Sequence, residues 1–433
     1  MTFRERLQQG IVLFDGAMGT QIQALKPTNE EWDGKIGCSE ILNLTVPEKI
    51  QKIHENYLAV GSDVIETNTF GTNEIVLSEY NLQEHVFEIN QTAAQLAREA
   101  VEKFAHEKPC FAAGSIGPST KVISLRQTDF ETMYRSYSRQ ARGLIKGGVD
   151  SFVIETCQDL LKIKTALLAI SDTMLKYEVD LPIIVSVTVE TNGTLLLGSE
   201  IGAVLAVLEP FDINVLGLNC ATGPKHMRPY IKQICQNFCG PVLCQPNAGL
   251  PQNIDGEMAY TLSPKDFADV LTQFFEEMGV QIIGGCCGTT PVFIKELSER
   301  VPKLKIADRK SCHQPSLASL LSAQKLQQDI PPFFVSERAN TNGSKKFREF
   351  ILNNDWDGIV EVAKQQQHTG APGLDLCVVY TGRNEIADMA EAITRIVNHV
   401  DLPLFIDSTD IEAIVIALKL YCKCQENYAI IPD

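Results

Sequence analysis

A chain of 433 residues exceeds one ordinary domain of about 150 residues, and falls short of two complete (β/α)8 barrels at roughly 250 residues apiece. Its 44% apolar content suffices for large buried cores, while a net charge of −16 argues against nucleic acid or an anionic membrane as a partner, since either would need a basic face. No apolar run approaches the ~20 residues of a membrane span, and Met1-Thr2-Phe3-Arg4-Glu5-Arg6 lacks the apolar core of a signal peptide. Thirteen irregularly spaced cysteines then favour reduced thiols over a disulfide framework. The expectation is a soluble, cytoplasmic protein that binds neither nucleic acid nor membrane.

In chain order, eight short apolar runs read as strands: Ile11–Phe14, Asp63–Thr67, Cys110–Ile116, Ser151–Glu155, Pro182–Val189, Val215–Asn219, Pro241–Gln245 and Val280–Ile283. Segments of helical period lie between them. Phe130, Met133, Tyr134, Tyr137, Ala141, Leu144 and Ile145 mark one such face, and Leu160, Ile163, Leu167, Ile170 and Met174 another. Thr45-Val46-Pro47-Glu48 reads as a capping box, and Ser263-Pro264 and Thr290-Pro291 as N-caps followed by proline. The helix after the fifth strand is short. Eight strand–helix units over about 300 residues predict an α/β fold, a (β/α)8 TIM barrel at residues 1–301. No Gly-x-Gly-x-x-Gly follows the first strand, which counts against dinucleotide binding.

A polar linker, 302–332, follows, with one short helix expected at Leu317–Leu326. Strand–helix alternation resumes from residue 333. Strands are expected at Phe333–Ser336, Leu374–Val379 and Leu402–Ile406, with one helix running through Gln367, another at Glu385–Asn398 and a third from Ile411. A fourth strand could begin at Asn427–Asp433. Residues 333–433 hold too few units to close a second barrel, so a fragment or a natively reduced module is expected.

In a barrel of this kind, chemistry sits at the C-terminal strand ends. Those ends carry Asp15, Glu66-Thr67-Asn68, Ser115, Glu155, Thr188, Asn219-Cys220, Asn247 and Cys286-Cys287. Adjacent cysteines in an extended strand point to opposite faces; for both to serve one centre the chain must turn, as the glycines of Gly284-Gly285-Cys286-Cys287-Gly288 allow. Cys220, ending the sixth strand, can join them, since alternate barrel strands share a layer. Three thiolates leave one position of a tetrahedral zinc open, as a catalytic site requires. Such a centre carries net charge −1 and is a poor source of hydroxide. It suits the binding and activation of a substrate thiol. No histidine lies at a strand end, which argues against an imidazole-based zinc hydrolase. Cys38, Cys110, Cys157, Cys235, Cys239 and Cys244 read as small apolar core residues; Cys235-x3-Cys239-x4-Cys244 straddles a helix end and a strand start, a poor ligand set.

Gly-Gly-Cys-Cys-Gly-Thr-Thr-Pro at 284–291, preceded by Asn219-Cys220, resembles the zinc-dependent homocysteine S-methyltransferases. The likeness extends to Phe14–Thr20, Glu66–Phe70, Glu155-Thr156 and Pro246–Gly249, and covers residues 10 to 300. It implies that Cys220, Cys286 and Cys287 hold Zn2+ with homocysteine sulfur as fourth ligand. It further implies that Asp15, Glu155 and Asn247 hold the amino acid end of L-homocysteine. Backbone N–H groups at Gly16-Ala17 suit the substrate carboxylate. Glu66-Thr67-Asn68 is read as support behind these groups.

Ser336-Glu337-Arg338-Ala339-Asn340 resembles the opening of the folate-binding barrel of the cobalamin-dependent methionine synthases, and Leu374–Cys377 and Phe405–Ser408 resemble its next strand ends. Ser336 stands in place of the usual glycine, and Cys377 where many members have asparagine. By this likeness Glu337, Asn340, Asp375 and Asp407 contact a pterin, and 5-methyltetrahydrofolate is implied as a cofactor. Methylcobalamin, on a corrinoid-bearing module that is separate or missing, is the methyl donor this implies for methionine formation. Two readings stand beside it: direct methyl transfer from S-methylmethionine or betaine, and a non-catalytic zinc-holding remnant.

Overall fold

The computed structural model describes residues 1–254 and 257–421, and the expected strand at Asn427–Asp433 lies outside them. The described chain forms two compact units. One comprises Met1–Leu196 and Ile213–His313; the other comprises Leu197–Asp212 and the chain from Gln314 onward.

The first unit is the expected α/β barrel. Strands Val12–Leu13, Val64–Glu66, Phe111–Ile116, Ser151–Cys157, Ile183–Val187, Val215–Asn219, Val242–Gln245 and Ile282–Ile283 form one eight-stranded sheet. Each pairs in parallel with its neighbours in sequence, and the first also pairs with the eighth. A single parallel bridge, Phe14 to Val64, closes the ring. Continuous burial explains why the strands read as unbroken apolar runs rather than alternating ones. Residues near the strand starts (Val12, Val64, Phe111, Val153, Ile184, Val215, Leu243 and Ile282) form one buried cluster. Phe3 and Leu7 of the N-terminal segment complete it, with Phe3 and Phe111 ring centroids 5.3 Å apart. The N-terminal end of the barrel is thereby plugged with hydrocarbon, and the polar strand ends lie at the other.

Local signals met mixed outcomes. Ser263 Oγ accepts from the Asp266 amide at 3.1 Å, as a cap should. Thr290 is an N-cap without a side-chain bond. Thr45 is no cap: it ends a short helix, Leu42–Thr45, and Val46 caps the helix Pro47–Ala59 with no side-chain acceptor. Thr45 Oγ1 instead donates to Glu31 O at 2.6 Å, so tertiary bonding took the hydroxyl. An antiparallel hairpin, Pro251–Ile254 with Glu257–Tyr260, interrupts the passage from the seventh strand to the helix Pro264–Met278.

In the second unit, strands Val335–Asn340, Gly373–Cys377 and Leu404–Ile406 form a three-stranded parallel sheet in that order. Helices Lys345–Leu352 and Trp356–His368 replace the single helix expected through Gln367; Asn354, at φ 53°, breaks them apart. The helix expected at Leu317–Leu326 is instead a hairpin, Ser316–Ala318 with Ala323–Lys325. The leucines have helical spacing, but the Ser319 side chain accepts from the Ser322 amide and ties the turn to Asp401. Helix Ile201–Leu208, which follows the fifth barrel strand, belongs to this unit. It lies against the hairpin, with Glu200 N donating to Leu321 O at 2.8 Å.

Candidate metal centre and ammonium site

Cys220 follows the sixth strand directly. Both Cys220 and Ala221 are left-handed, at φ 63° and 55°, a conformation that costs a side-chain-bearing residue about 1–2 kcal/mol. Cys220 N donates to Gln245 O and Thr222 N back to Cys220 O at 2.6 Å, so the neighbouring strand and a tight turn hold this strain. Cys286 and Cys287 follow the eighth strand. Gly285 permits the turn: a Cβ there would stand 2.3 Å from Thr289 Oγ1. Cys286 N donates to Pro246 O, and Thr289 Oγ1 to Cys286 O at 2.6 Å.

The result is a convergence of Cys220, Cys286 and Cys287, all sulfurs lying within 4.8 Å of one another. It is the only such ligand group among the described residues. Cys220 Sγ and Cys287 Sγ are 3.8 Å apart. A tetrahedral ion with metal–sulfur bonds of about 2.3 Å spaces its thiolates about 3.8 Å apart, so the donor set fits zinc in type and number, and the Cys220–Cys287 pair fits it in spacing. Hydrogen bonds from Cys220 and Cys286 pull the Cys287 thiol down to about 3, against the effect of burial. The Cys286 thiol rises well above its usual value, through its bonds to the other two sulfurs and through burial. Three ionised thiols this close repel one another, and a bound cation would offset that repulsion.

Cys38, Cys110, Cys157, Cys235 and Cys244 are buried, as core cysteines should be. Cys239 is exposed, contrary to expectation, because the chain passes it at the surface between helix Pro224–Asn237 and the seventh strand.

Beside the thiols lie three carboxyl groups. Asp15 is 1% exposed; its Oδ2 accepts from the Glu66 amide at 3.0 Å, while Oδ1 is buried without a partner. Glu155 is aimed by a break in strand pairing between Ile154 and Cys157, with Thr156 at φ 56°. Both its oxygens are engaged: Oε1 by Ser115 Oγ at 2.5 Å, Oε2 by Asn219 Nδ2 at 3.1 Å. Glu66, expected only as support, offers a second buried acceptor without a partner, Oε1; Asn247 Oδ1 is a third. Burial raises the Asp15, Glu66 and Glu155 carboxyls above the usual range. Charge repulsion from Glu155 adds to the rise at Asp15 and Glu66. Such a group is built to receive a cation with several donors.

The backbone donors need one correction. The Ala17 N–H is not free: it donates to Thr289 Oγ1 at 3.2 Å, and Tyr57 Oη donates to the Ala17 carbonyl at 3.2 Å. Ala17 is also the N-cap of helix Met18–Leu25 and supplies no side-chain acceptor, so the first amides of that helix form the uncapped end here. A 272-residue separation between donor and acceptor left no local signal of this bond.

In the second unit, Asn340 Nδ2 donates to Asp375 Oδ2 at 2.7 Å and to Asp407 Oδ2 at 3.1 Å, bringing three of the four expected pterin contacts together. Glu337 and Asp407 are exposed, whereas Asn340 is buried.

A family model for homocysteine S-methyltransferases matches residues 12–301. The chain belongs to the homocysteine S-methyltransferase family. A model for pterin-binding enzymes matches residues 336–425. Methionine synthase from Mycobacterium tuberculosis is 39% identical across 97% of this chain and 36% of its own length. The Mycobacterium leprae enzyme is 39% identical across 96% and 35%. The chain thus spans about a third of the length of these relatives. Homocysteine methyltransferase MmuM from Escherichia coli, in its metallated form, superposes with a TM-score of 0.54 at 23% identity, covering 67% of this chain and 96% of that one. That likeness supports the barrel fold. Among the described residues, no helix is long and apolar enough to cross a membrane.

Proposed function

We propose that the first unit binds L-homocysteine and presents its sulfur for methylation to L-methionine, with zinc held by Cys220, Cys286 and Cys287. The single observation that carries this reading is the meeting of those three sulfurs within 4.8 Å of one another. Bound zinc would supply an open fourth position and depress the pKa of a coordinated thiol. The chain's own residues do the remaining work. Asp15 Oδ1, Glu66 Oε1 and Asn247 Oδ1 would accept the three N–H donors of the substrate ammonium, with the Glu155 carboxylate contributing charge. Met18-Gly19-Thr20 at the uncapped helix end would receive the substrate carboxylate, with Gly16 beside them. With both ends of the amino acid fixed, the sulfur is oriented toward the donor before reaction. In the transfer, sulfur forms the new bond to the methyl carbon and the donor departs with the electron pair of the bond that breaks.

For the donor we take methylcobalamin on a corrinoid-bearing module, recharged from 5-methyltetrahydrofolate. The pterin-binding match and the Asn340–Asp375–Asp407 cluster support a folate role for the second unit. The test is zinc stoichiometry in the wild-type chain and Cys286→Ser, followed by methyl transfer to homocysteine from methylcobalamin or from S-methylmethionine. Zinc lost in the variant and turnover with methylcobalamin are expected. Unchanged zinc would sink the thiolate centre, turnover only with S-methylmethionine would replace the donor, and zinc without turnover from either would leave a non-catalytic zinc-binding remnant.

A further inference from the structure

The Cys287 sulfur has a neighbour outside the thiol trio. Tyr260, at the end of the hairpin strand Glu257–Tyr260, lies close enough for its hydroxyl to interact with that sulfur. Two bonds in series link the residues after that strand end to the cysteine turn: Leu262 N donates to Ala248 O at 3.1 Å, and Ala248 N to Cys287 O at 2.9 Å. The Tyr260 ring packs on the turn itself. Gly288 sits at φ 80°, and a Cβ there would lie 2.4 Å from Tyr260 Cγ. A side chain at 288 would therefore be strained and would also displace the ring. Cys286 is held otherwise, through its amide to Pro246 and its carbonyl to Thr289.

We infer that Tyr260 is a positioning residue of the metal centre, its hydroxyl orienting the Cys287 sulfur and its ring bracing the Cys286–Gly288 turn. This deepens the zinc reading and rests on it. A donor aimed at a metal-bound thiolate fixes its direction and draws off part of its charge, and outer partners of this kind typically change metal affinity by about 10–100-fold. In a centre of three thiolates and no neutral ligand, such charge withdrawal matters most.

The experiment uses the full chain stripped of metal, titrated with zinc against a chelating indicator, as wild type, Tyr260→Phe and Tyr260→Ala. Phenylalanine removes one oxygen from a half-exposed ring and keeps the packing on Gly288. Zinc affinity should fall roughly tenfold in Tyr260→Phe, with an unchanged melting curve for the metal-free protein. With cobalt in place of zinc, the sulfur-to-metal charge-transfer band should shift in Tyr260→Phe, a readout that loss of packing alone would not move. Tyr260→Ala should bind more weakly still. Equal zinc affinity and an unshifted cobalt band in Tyr260→Phe would overturn the role of the hydroxyl, and equal affinity of the two variants would overturn that of the ring. A wild-type chain that takes up no zinc would instead refute the thiolate centre, so the two failures are distinguishable.

Discussion

The closed barrel of the first unit and the three-stranded sheet of the second use the same grammar, a polar residue at the C-terminal end of each parallel strand, with different consequences. In the barrel, the sheet curves until residues far apart in sequence face one another: Asp15 meets the Glu66 amide, and Cys220 meets Cys287. In the open sheet the contacts are lateral, one asparagine bridging aspartates on the two following strands. Burial raises both Asp15 and Asp375, but Asp15, almost fully enclosed, rises well above its usual range. Enclosure, more than residue type, decides how far a carboxyl is raised and how much it would gain from a cation beside it.

The largest effect is expected for Cys220→Ser. Serine is a poor zinc ligand, and the loss should exceed the ~10–100-fold typical of an outer partner. Zinc content and homocysteine methylation should both collapse, while pterin binding by the second unit is unchanged. Loss of pterin binding as well would mean that the two units do not carry separate sites.

Next is Glu66→Gln. A hydrogen bond to a charged group is worth about 1.5–3 kcal/mol, so homocysteine should bind roughly 10–100-fold more weakly, measured by calorimetry. Ligand-free stability should move the other way. The folded-state pKa values of Asp15 and Glu66 are raised, so these groups keep protons that the unfolded chain has released. Their stabilising contribution is complete below the ordinary carboxylate range, about pH 4, and is lost as pH rises through the raised values. Removing one charge should lift the melting temperature at neutral pH and flatten its fall with pH. A lower melting temperature in the variant would show that Glu66 is a structural hydrogen-bonding residue.

Asn340→Ala turns the contrast around. It removes the bridge between Asp375 and Asp407, and about 1 kcal/mol of stability is expected to go with it. Pterin binding should fail, while zinc and homocysteine affinities should not change. Retained folate affinity would refute the assignment of this cluster.

How far all this was legible from residues alone divides along the same line. Strands buried on both faces announce themselves as apolar runs, and barrel chemistry is confined to strand ends, so the polar strand ends and the three cysteines could be listed from residues alone; the roles given to Asp15, Glu155 and Asn247 came from the family resemblance. Features made by long-range side-chain bonds could not be. Thr289 occupies the Ala17 amide from the far end of the barrel sequence, and nothing near either residue marks it. Glu66 reads as support from its position alone, and its unpartnered oxygen is visible only once its neighbours are placed. Tyr260 belongs to no motif, though Asp255-Gly256 between two short runs is a strong hairpin signal that was there to be read. Thr45 and the Leu317–Leu326 segment misled for one reason: hydroxyl groups found tertiary or turn partners that local pattern could not foresee.

The smallest effect probes strain. Around the barrel site Thr156, Cys220 and Ala221 are all left-handed, whereas the second unit's one described non-glycine residue with positive φ is Asn354, at a helix junction away from its polar cluster. Ala221 isolates the backbone contribution, since its methyl group carries no polar bond. Relief of left-handed strain is worth about 1–2 kcal/mol. Against this stands the greater freedom of a glycine in the unfolded chain, about 0.4–1 kcal/mol. Ala221→Gly should therefore raise metal-free stability slightly, by about 0.5–1 kcal/mol in denaturant unfolding. The same change frees the turn that aims Cys220, so zinc should dissociate faster from the more stable protein. If stability and zinc retention rise together, the strain has no part in positioning the thiol; if they separate, the barrel rim holds Cys220 in place at the expense of its own stability.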